Sequence, residues 1–189
     1  SRIILFIFFL IYILLLIGLL FSGLFLYNVI VEPIYAFVFR KPINVHFYIF
    51  PKKLPLSQLS ILHSQFDYYK KLSRKEKQYF EHRVAVFLEK YPFHGREDLV
   101  ITSEMKVLIA ATAIMLTFGL RSYLFDVIDK VIVFPDVYYS KLSDNYHKGE
   151  FNPRMRAIVF SWKHFKEGYE ISNDNLNLGL HEFSHVLHY

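Results

Sequence analysis

The stretch His181-Glu182-Phe183-Ser184-His185, "HEFSH" in one-letter code, decides how the rest of the sequence is interpreted. On a helix, residues four apart lie one above the other on the same face, so the imidazoles of His181 and His185 reach toward one point. Glu182 places a carboxylate beside the first imidazole. Two nitrogen ligands with an adjacent base form the pattern H-E-x-x-H, which predicts a zinc site.

The residues around this motif predict that it lies on an amphipathic helix. Apolar residues recur at spacings of four, three and four, at Leu176, Leu180, Phe183 and Leu187. Such a stripe is typical of a helix with one face buried in the core. The segment 172–174, Ser-Asn-Asp, offers side chains that cap a helix start. We therefore expect the stripe to be buried and the two histidines to face a cleft beside it.

The motif supplies two of the three protein ligands that a catalytic zinc site needs. A bound zinc ion lowers the pKa of a water molecule toward about 7, and Glu182 is placed to take its proton during attack on a peptide bond. His188 follows His185 by three residues, but three histidines on one straight helix do not converge on one ion. We interpret His188 as a supporting or surface residue. The motif alone leaves three interpretations open: a working metal site, a site that lacks its third ligand, or a chance match.

Composition excludes several other classes of protein. The 189 residues carry a net charge of +5 and no cysteine, which excludes a disulfide framework and any cysteine-ligated metal site. The basic run Ser73-Arg-Lys-Glu-Lys77 is interleaved with acid and is better explained as a solvated helix start than as a nucleic-acid patch. We therefore expect no nucleic-acid partner.

Residues 3–31 form an uncharged apolar run, IILFIFFLIYILLLIGLLFSGLFLYNVIV. A bilayer core needs about 20 helical residues, whereas the apolar region of a signal peptide has about 7 to 15. We predict one transmembrane helix within residues 1–32. The positive charges that follow it, Arg40, Lys41, Lys52 and Lys53, place the remainder on the cytoplasmic side of the inner membrane.

A connector is expected over residues 33–56, with a short strand at 45–50, followed by a folded domain over residues 57–189. Helices are predicted over 57–71, from the capping box of Ser73 and Glu76 to before Pro92, and after Thr102. The apolar run 107–118 is too short for a second span and should be a buried core helix. Strands are predicted at 99–101, 131–134 and 157–161. This order indicates an α+β fold with a small sheet packed against helices.

The remaining candidates for a site have simpler interpretations. Trp162 is interpreted as a core aromatic residue, and Glu104 as a charge at a helix start. Five histidines have no ligand spacing and are expected to be solvated at the surface: His63, His82, His94, His147 and His164.

Four segments, in this order, resemble the Mlc titration factor A-like zinc peptidases, a bacterial family of gluzincin type. They are YYKKLSRKEKQYFEHRVAVFLEKYPFHG, VITSEMKVLIAATAIMLTFG, the pair VIVFPDVY and AIVFSW, and NLGLHEFSH. The resemblance covers about residues 68–188. It implies a zincin-like fold, zinc ligands at His181 and His185, and a catalytic base at Glu182. It also implies that Phe160, Ser161 and Trp162 border the substrate cleft. By the same resemblance the third ligand is a glutamate on a later helix, beyond Tyr189, so the 189-residue chain is expected to bind zinc weakly and to lack activity.

Two functions follow from the motif and the resemblance together. The first is a membrane-anchored zinc metallopeptidase that hydrolyses peptides or proteins with Glu182 as general base. The alternative is a regulatory protein that keeps the peptidase-like fold and captures a transcriptional repressor or another cytoplasmic partner. Glu182 favours the enzyme, because a binding module needs no base beside two ligands.

Overall fold

The computed structural model describes residues 2–40, 42–140, 144–170 and 178–189. The chain divides into two compact units, Ser1–Phe47 and Tyr48–Tyr189.

The first unit is built on a continuous helical run. It comprises α1 (Arg2–Leu26), a π-helical turn (Tyr27–Val31) and α2 (Glu32–Phe39). The π turn ends two residues before Pro33, which has no N–H to donate to the turn before it. Within the described residues, Arg2–Phe39 is the one helix long and apolar enough to cross a membrane. It extends seven residues past the predicted boundary at residue 32 and ends where Arg40 adopts a left-handed conformation, with φ of 55°.

The second unit opens with α3 (Leu56–Gln65) and α4 (Asp67–Lys71). The single helix predicted over residues 57–71 is interrupted at Phe66, whose φ of −110° and ψ of 93° are extended. The break turns the ring of Phe66 into the core, 5.9 Å from the ring of Phe80. Core packing therefore overrides the helical periodicity here. The predicted strand at 45–50 is wrong, because the backbone there is irregular.

The next helix, α5 (Arg74–Lys90), begins as predicted. The Ser73 hydroxyl accepts from the N–H of Glu76 at 3.4 Å, and the Glu76 carboxylate accepts from the N–H of Ser73 at 2.8 Å. This reciprocal capping box satisfies two N–H groups at the helix start. The helix stops before Pro92, as the sequence indicates.

The predicted core helix is α6 (Ser103–Thr117). The Thr102 hydroxyl caps it by accepting from the N–H of Met105 at 3.2 Å. Nearly every residue from Met105 to Ile114 is buried, which confirms that this apolar segment belongs to the protein interior.

The main sheet has the strand order β1-β2-β6-β5. Its strands are β1 (Phe93–Gly95), β2 (Lys130–Phe134), β5 (Gly149–Asn152) and β6 (Ala157–Ser161). The first three strands in this order run parallel, and β5 pairs antiparallel to β6 at the edge. A separate hairpin joins β3 (Tyr138–Ser140) to β4 (Asn145–His147). Two helices follow, α7 (Trp162–Glu170) and α8 (Leu178–His188).

Of the three strands predicted within the folded domain, two are confirmed and one is wrong. Strands β2 and β6 match the expected 131–134 and 157–161, whereas 99–101 is irregular and the strand lies earlier, at β1. The chain turns back after β1 through Glu97 and Asp98, both with positive φ. A side chain at Gly95 would meet the carbonyl oxygen of Leu99 at 1.9 Å, so the glycine permits this close return.

The sheet separates two apolar clusters. The larger one lies between the helices and one sheet face and includes Phe160 and Phe183. The smaller one joins Ile132 and Val159 on the other face to Tyr138 of β3. The domain is thus a mixture of helices and sheet, as predicted, with α8 beside the edge strand β5.

Candidate metal centre

The two histidines of the motif lie on α8 and face solvent together. The Nε2 atoms of His181 and His185 are 3.1 Å apart. Their ring centroids are 4.6 Å apart, with the rings nearly perpendicular. Both side chains are exposed. The helix predicted from the sequence therefore brings the two nitrogens to one point, although residues 172–176 of that prediction lie outside the described residues.

The buried face of α8 is rotated from the predicted stripe. Gly179, Glu182, Phe183 and Val186 are buried, whereas Leu187 is 40% exposed. Phe183 packs into the core, with its ring 5.3 Å from that of Phe125. The face carrying Gly179 and Glu182 turns toward β5 instead. The prediction for Leu187 is therefore wrong, because α8 packs against the edge strand as well as the core.

Glu182 lies in the gap between α8 and β5. The backbone N–H of Phe151 lies near its carboxylate and acts to lower its pKa. A side chain at Gly149 would come within 3.0 Å of both Cγ and Oε1 of Glu182, so the carboxylate rests directly on the glycine backbone. A side chain at position 149 would occupy the space of the carboxylate, so this arrangement requires glycine there.

Burial raises the pKa of Glu182 to about 7. The nearby Glu150 carboxylate acts in the same direction, while His185 and the N–H of Phe151 oppose it. A carboxyl group with a pKa near 7 is able to accept a proton and return it at neutral pH. The burial of Glu182 thus gives the motif's carboxylate an acid–base character that an exposed glutamate lacks.

A cavity of about 590 Å³ opens beside this helix end. His181, Glu182 and His185 line one side, and the edge strand lines the other through Gly149, Glu150 and Phe151. The volume is within the range of about 300 to 1,000 Å³ that is usual for ligand pockets. The motif therefore faces a space large enough for part of a peptide.

His188 also lines this cavity. Its Nδ1 donates to the carbonyl oxygen of Ser184, 2.7 Å away, one turn back on the same helix. This bond holds the ring against its own helix. The geometry agrees with a supporting or surface position, as the sequence analysis expects.

The other three predicted cleft residues lie elsewhere. Phe160 and Ser161 are completely buried, and the hydroxyl of Ser161 is 2.9 Å from Nδ1 of His164. Trp162 is half-buried, stacks on Phe165 and packs against the core. None of the three lines the cavity beside the motif. Strand β6 is interior because β5 covers its edge, and β5 is the strand that borders the cavity.

Two of the five histidines expected at the surface are in fact enclosed. His82 is buried, and its Nδ1 accepts from the N–H of Lys52 at 2.9 Å. His164 is largely buried beside Ser161. The surface prediction for these two is wrong, since each imidazole serves as a hydrogen-bonding group inside the fold.

The residues of β5 line the cavity beside the motif, but they were not predicted as site residues from the sequence. Gly149, Glu150 and Phe151 belong to the turn-rich segment DNYHKGEFNPR, in which a four-residue edge strand leaves no periodic pattern. A glycine within a strand is a signal of close approach by another group. That signal was the one available indication of the contact with Glu182.

The donor set at His181 and His185 suits a zinc ion. Two nitrogens that bind zinc at 2.0 to 2.1 Å with a tetrahedral angle are about 3.3 Å apart, close to the 3.1 Å between these Nε2 atoms. In the part of the chain that the structure describes, no group of three histidine, cysteine, aspartate or glutamate side chains is placed to hold a metal. The described residues therefore provide an incomplete ligand set of the right chemistry.

Comparison with known proteins gives one family and one curated relative. An uncharacterized protein of Synechocystis sp. is 29% identical over 150 residues, which cover 74% of this chain and 54% of that protein. The chain thus spans about half the length of the curated relative it matches.

The family comparison agrees with the boundaries of the second unit. The model of the glucose-regulated metallo-peptidase M90 family matches residues 48–189, and the second unit is Tyr48–Tyr189. The match covers the motif helix, the sheet and the helices α3 to α6. The chain belongs to the glucose-regulated metallo-peptidase M90 family, which is the family of the Mlc titration factor.

Proposed function

We propose that this protein is a membrane-anchored, zinc-dependent peptidase with a zincin-like domain and Glu182 as its general base. The observation that carries the proposal is the position of His181, Glu182 and His185 on one helix end, across a cavity from the edge strand β5. Membership of a metallopeptidase family supports the same chemistry.

His181 and His185 would hold the zinc ion, and a carboxylate outside the described residues would complete the set. When bound, zinc lowers the pKa of a coordinated water and polarises the carbonyl of the bond to be cleaved. The histidines hold their Nε2 atoms at the spacing that this role requires. The proposal therefore needs no rearrangement of α8.

Glu182 accepts the proton of the attacking water and delivers it to the leaving amine. Burial between α8 and β5 raises its pKa to about 7 in the metal-free site, which favours acceptance of a proton. The close contact with Gly149 holds its carboxylate between the histidines and β5, near the N–H of Phe151. The environment of Glu182 thus orients its carboxylate toward the histidines, and burial makes that carboxylate a better proton acceptor.

The edge strand β5 would align the substrate. It pairs with β6 on one side and is the last strand of the sheet on the other. An extended peptide is able to add to such an edge through main-chain hydrogen bonds. A peptide aligned in this way passes in front of His181 and His185, so peptides or unfolded protein segments are the proposed substrates.

The helical run Arg2–Phe39 would anchor the protein in the inner membrane. Its length and composition suit a single span, and the positive charges after it support a cytoplasmic catalytic domain. Capture of a transcriptional regulator remains the second proposal for the same cleft.

The substitution Glu182→Gln tests the catalytic proposal. Glutamine keeps the shape and loses the basic oxygen, so we expect hydrolysis of a peptide library by the whole protein to fall by at least about 100-fold. Zinc content, measured by elemental analysis, should stay the same because both histidines remain. Retention of most activity would exclude Glu182 as the base. A zinc-loaded wild-type protein that cleaves no peptide would favour the regulatory binding protein instead.

A further inference from the structure

A second cavity, which we call the tyrosine cavity, lies on the sheet face opposite the core. It has a volume of about 250 Å³ and is bounded by β2, β6 and β5 on the sheet and by β3 of the hairpin. This volume is below the range of about 300 to 1,000 Å³ for pockets that hold drug-sized ligands. The tyrosine cavity is therefore suited to one side chain rather than to a whole small molecule.

Three aromatic residues form part of its walls. Phe134, Tyr138 and Tyr139 all line the cavity, and the rings of Phe134 and Tyr138 are stacked with centroids 4.5 Å apart. Ile132 and Val159 form the apolar floor on the sheet. Aromatic faces attract cations, and apolar walls accept the methylene stem that carries a cationic group.

The tyrosine cavity also contains polar groups that are able to bind a cationic head group. Tyr138 is 5% exposed, and its hydroxyl lies next to the Glu150 carboxylate but makes no hydrogen bond of normal geometry within the described residues. Burial, followed by the Glu150 and Glu182 carboxylates, raises the pKa of Tyr138, so the hydroxyl stays protonated. Glu150 accepts a long bond of 3.4 Å from the Asn152 amide. No lysine or arginine in the described part of the chain forms an ion pair with Glu150.

Glu150 connects the two cavities. It lines the tyrosine cavity and also the cavity that contains His181, Glu182 and His185. In the register of β5 it lies opposite Val159, on the tyrosine-cavity face, whereas its neighbour Gly149 contacts Glu182. A peptide aligned along β5 therefore has one side chain directed toward the tyrosine cavity while its backbone stays near the histidines.

We propose that the tyrosine cavity is a specificity subsite for a lysine or arginine side chain of the substrate, with Glu150 as the residue that recognises the cation. This inference rests on the proposed peptidase function. The aliphatic stem lies against Ile132 and Val159, and the head group lies between Glu150 and the hydroxyl of Tyr138. Arg96 lines the cavity as well and is exposed. The positive charge of Arg96 repels a cationic head group from that rim of the cavity, so the head group lies on the side of Glu150.

Positional peptide sets test this subsite. Quenched-fluorescence peptides carry lysine, arginine or uncharged norleucine at each position around the cleaved bond. Their N-termini are acetylated, so that the positive charge of a free α-amine does not contribute to binding. With the whole zinc-loaded protein, we expect one position at which lysine or arginine raises kcat/KM by about tenfold or more over norleucine. Glu150→Gln should bring this ratio close to one, and Tyr138→Phe should lower it less. Glu89→Gln, at an exposed carboxylate on α5, is the matched control and should leave the ratio unchanged.

A binding measurement separates this inference from the proposed function. The same peptides, labelled with a fluorophore, are titrated against the protein in the presence of a metal chelator and followed by anisotropy. A preference for lysine over norleucine that Glu150→Gln removes supports the subsite, even if no peptide is cleaved; failure of cleavage alone contradicts the peptidase proposal. Equal binding of lysine and norleucine peptides, or cleavage with no preference for a basic residue at any position, overturns the subsite.

Discussion

At the scale of single residues, the position of Glu182 depends on a neighbour without a side chain. A Cβ atom at Gly149 would lie 2.8 Å from Cγ of Glu182 and 2.9 Å from Cδ1 of Leu178. Both distances are shorter than van der Waals contact, so both side chains, or the strand itself, have to move. Because Leu178 and Glu182 are on α8, any movement changes how that helix packs on β5.

We expect Gly149→Ala to displace the Glu182 carboxylate from the N–H of Phe151. Overpacking of this kind typically costs about 1 to 3 kcal/mol of folding free energy, and kcat should fall more than KM rises because the base is misplaced. Denaturant unfolding and peptide hydrolysis measure the two effects. Gly119→Ala is the matched control, since a Cβ atom there meets no atom within 4 Å. Equal effects of the two substitutions would contradict the proposed contact.

The residues of the motif could be assigned from the sequence, but their surroundings could not. The spacing of His181 and His185 places both imidazoles on one helix face by geometry alone. The apolar stripe through Leu187 is misleading, because the periodicity of α8 does not show that β5 packs on its other side. The burial of Glu182 depends on this contact with Gly149, which is 33 positions earlier in the sequence.

At the scale of elements, a single imidazole on α5 joins the segment before α3 to the helical core. His82 is buried, and its Nδ1 accepts from the backbone N–H of Lys52. Burial is the largest cause that lowers the pKa of His82, and the charges of Lys52 and Arg83 add to it, while Glu89 opposes it. The folded chain therefore keeps His82 neutral at a pH at which the unfolded chain has begun to bind a proton.

This difference gives a pH dependence of stability with a defined sign. Above about pH 6.5, His82 is neutral in both states and contributes no slope. As the pH falls below about 6.5, the unfolded state binds the proton first, so the free energy of unfolding decreases until the lowered pKa is reached. The slope from this one group is at most about 1.4 kcal/mol per pH unit.

We expect His82→Gln to flatten the stability profile between about pH 7 and 5, since glutamine keeps an acceptor for Lys52 and does not titrate. Chemical denaturation at several pH values measures the profile. His94→Gln, at an exposed position on β1, should leave it as in the wild type. Parallel profiles for wild type and His82→Gln would show that protonation of His82 does not oppose folding.

Elements with strong local signals were predicted correctly, and elements set by distant contacts were not. The capping box at Ser73 and the apolar composition of α6 determine those helices locally. Phe66 breaks a predicted helix because its ring reaches the core. Strand β5 and the hairpin β3–β4 are three or four residues long, too short for a periodic pattern, and their pairing partners determine them. Both border the cavities on which the functional proposals rest.

At the scale of the whole molecule, the two units differ in the kind of surface that they expose. The helical run Arg2–Phe39 exposes apolar side chains along its length, whereas the family match begins at residue 48, where the second unit begins. We expect the protein to partition into membranes and a version lacking residues 3–31 to be soluble. Protease protection in oriented inner-membrane vesicles tests the orientation. Cleavage after Lys53 from the periplasmic side alone would contradict the cytoplasmic assignment.

The metal centre also depends on the whole molecule, because the described residues offer two nitrogen ligands. A site with two histidines lacks the carboxylate that closes a catalytic zinc site and balances the charge of the ion. If the third ligand lies outside these 189 residues, the 189-residue chain should bind zinc at least about 100-fold more weakly than a longer chain that includes that ligand, because affinity comes from closure of the complete ligand set. Calorimetric titration of both in the same detergent measures the difference.

Two substitutions decide how such a titration is interpreted. His181→Ala should remove the remaining affinity of the 189-residue chain, since it leaves one imidazole of a pair whose nitrogens are 3.1 Å apart. His188→Ala should change little, because the His188 ring is bonded to the carbonyl of Ser184. Tight, stoichiometric binding by the 189-residue chain would mean that a third ligand lies within it. A sharp loss in His188→Ala would then identify His188 as that ligand, after rotation of its ring away from the helix backbone.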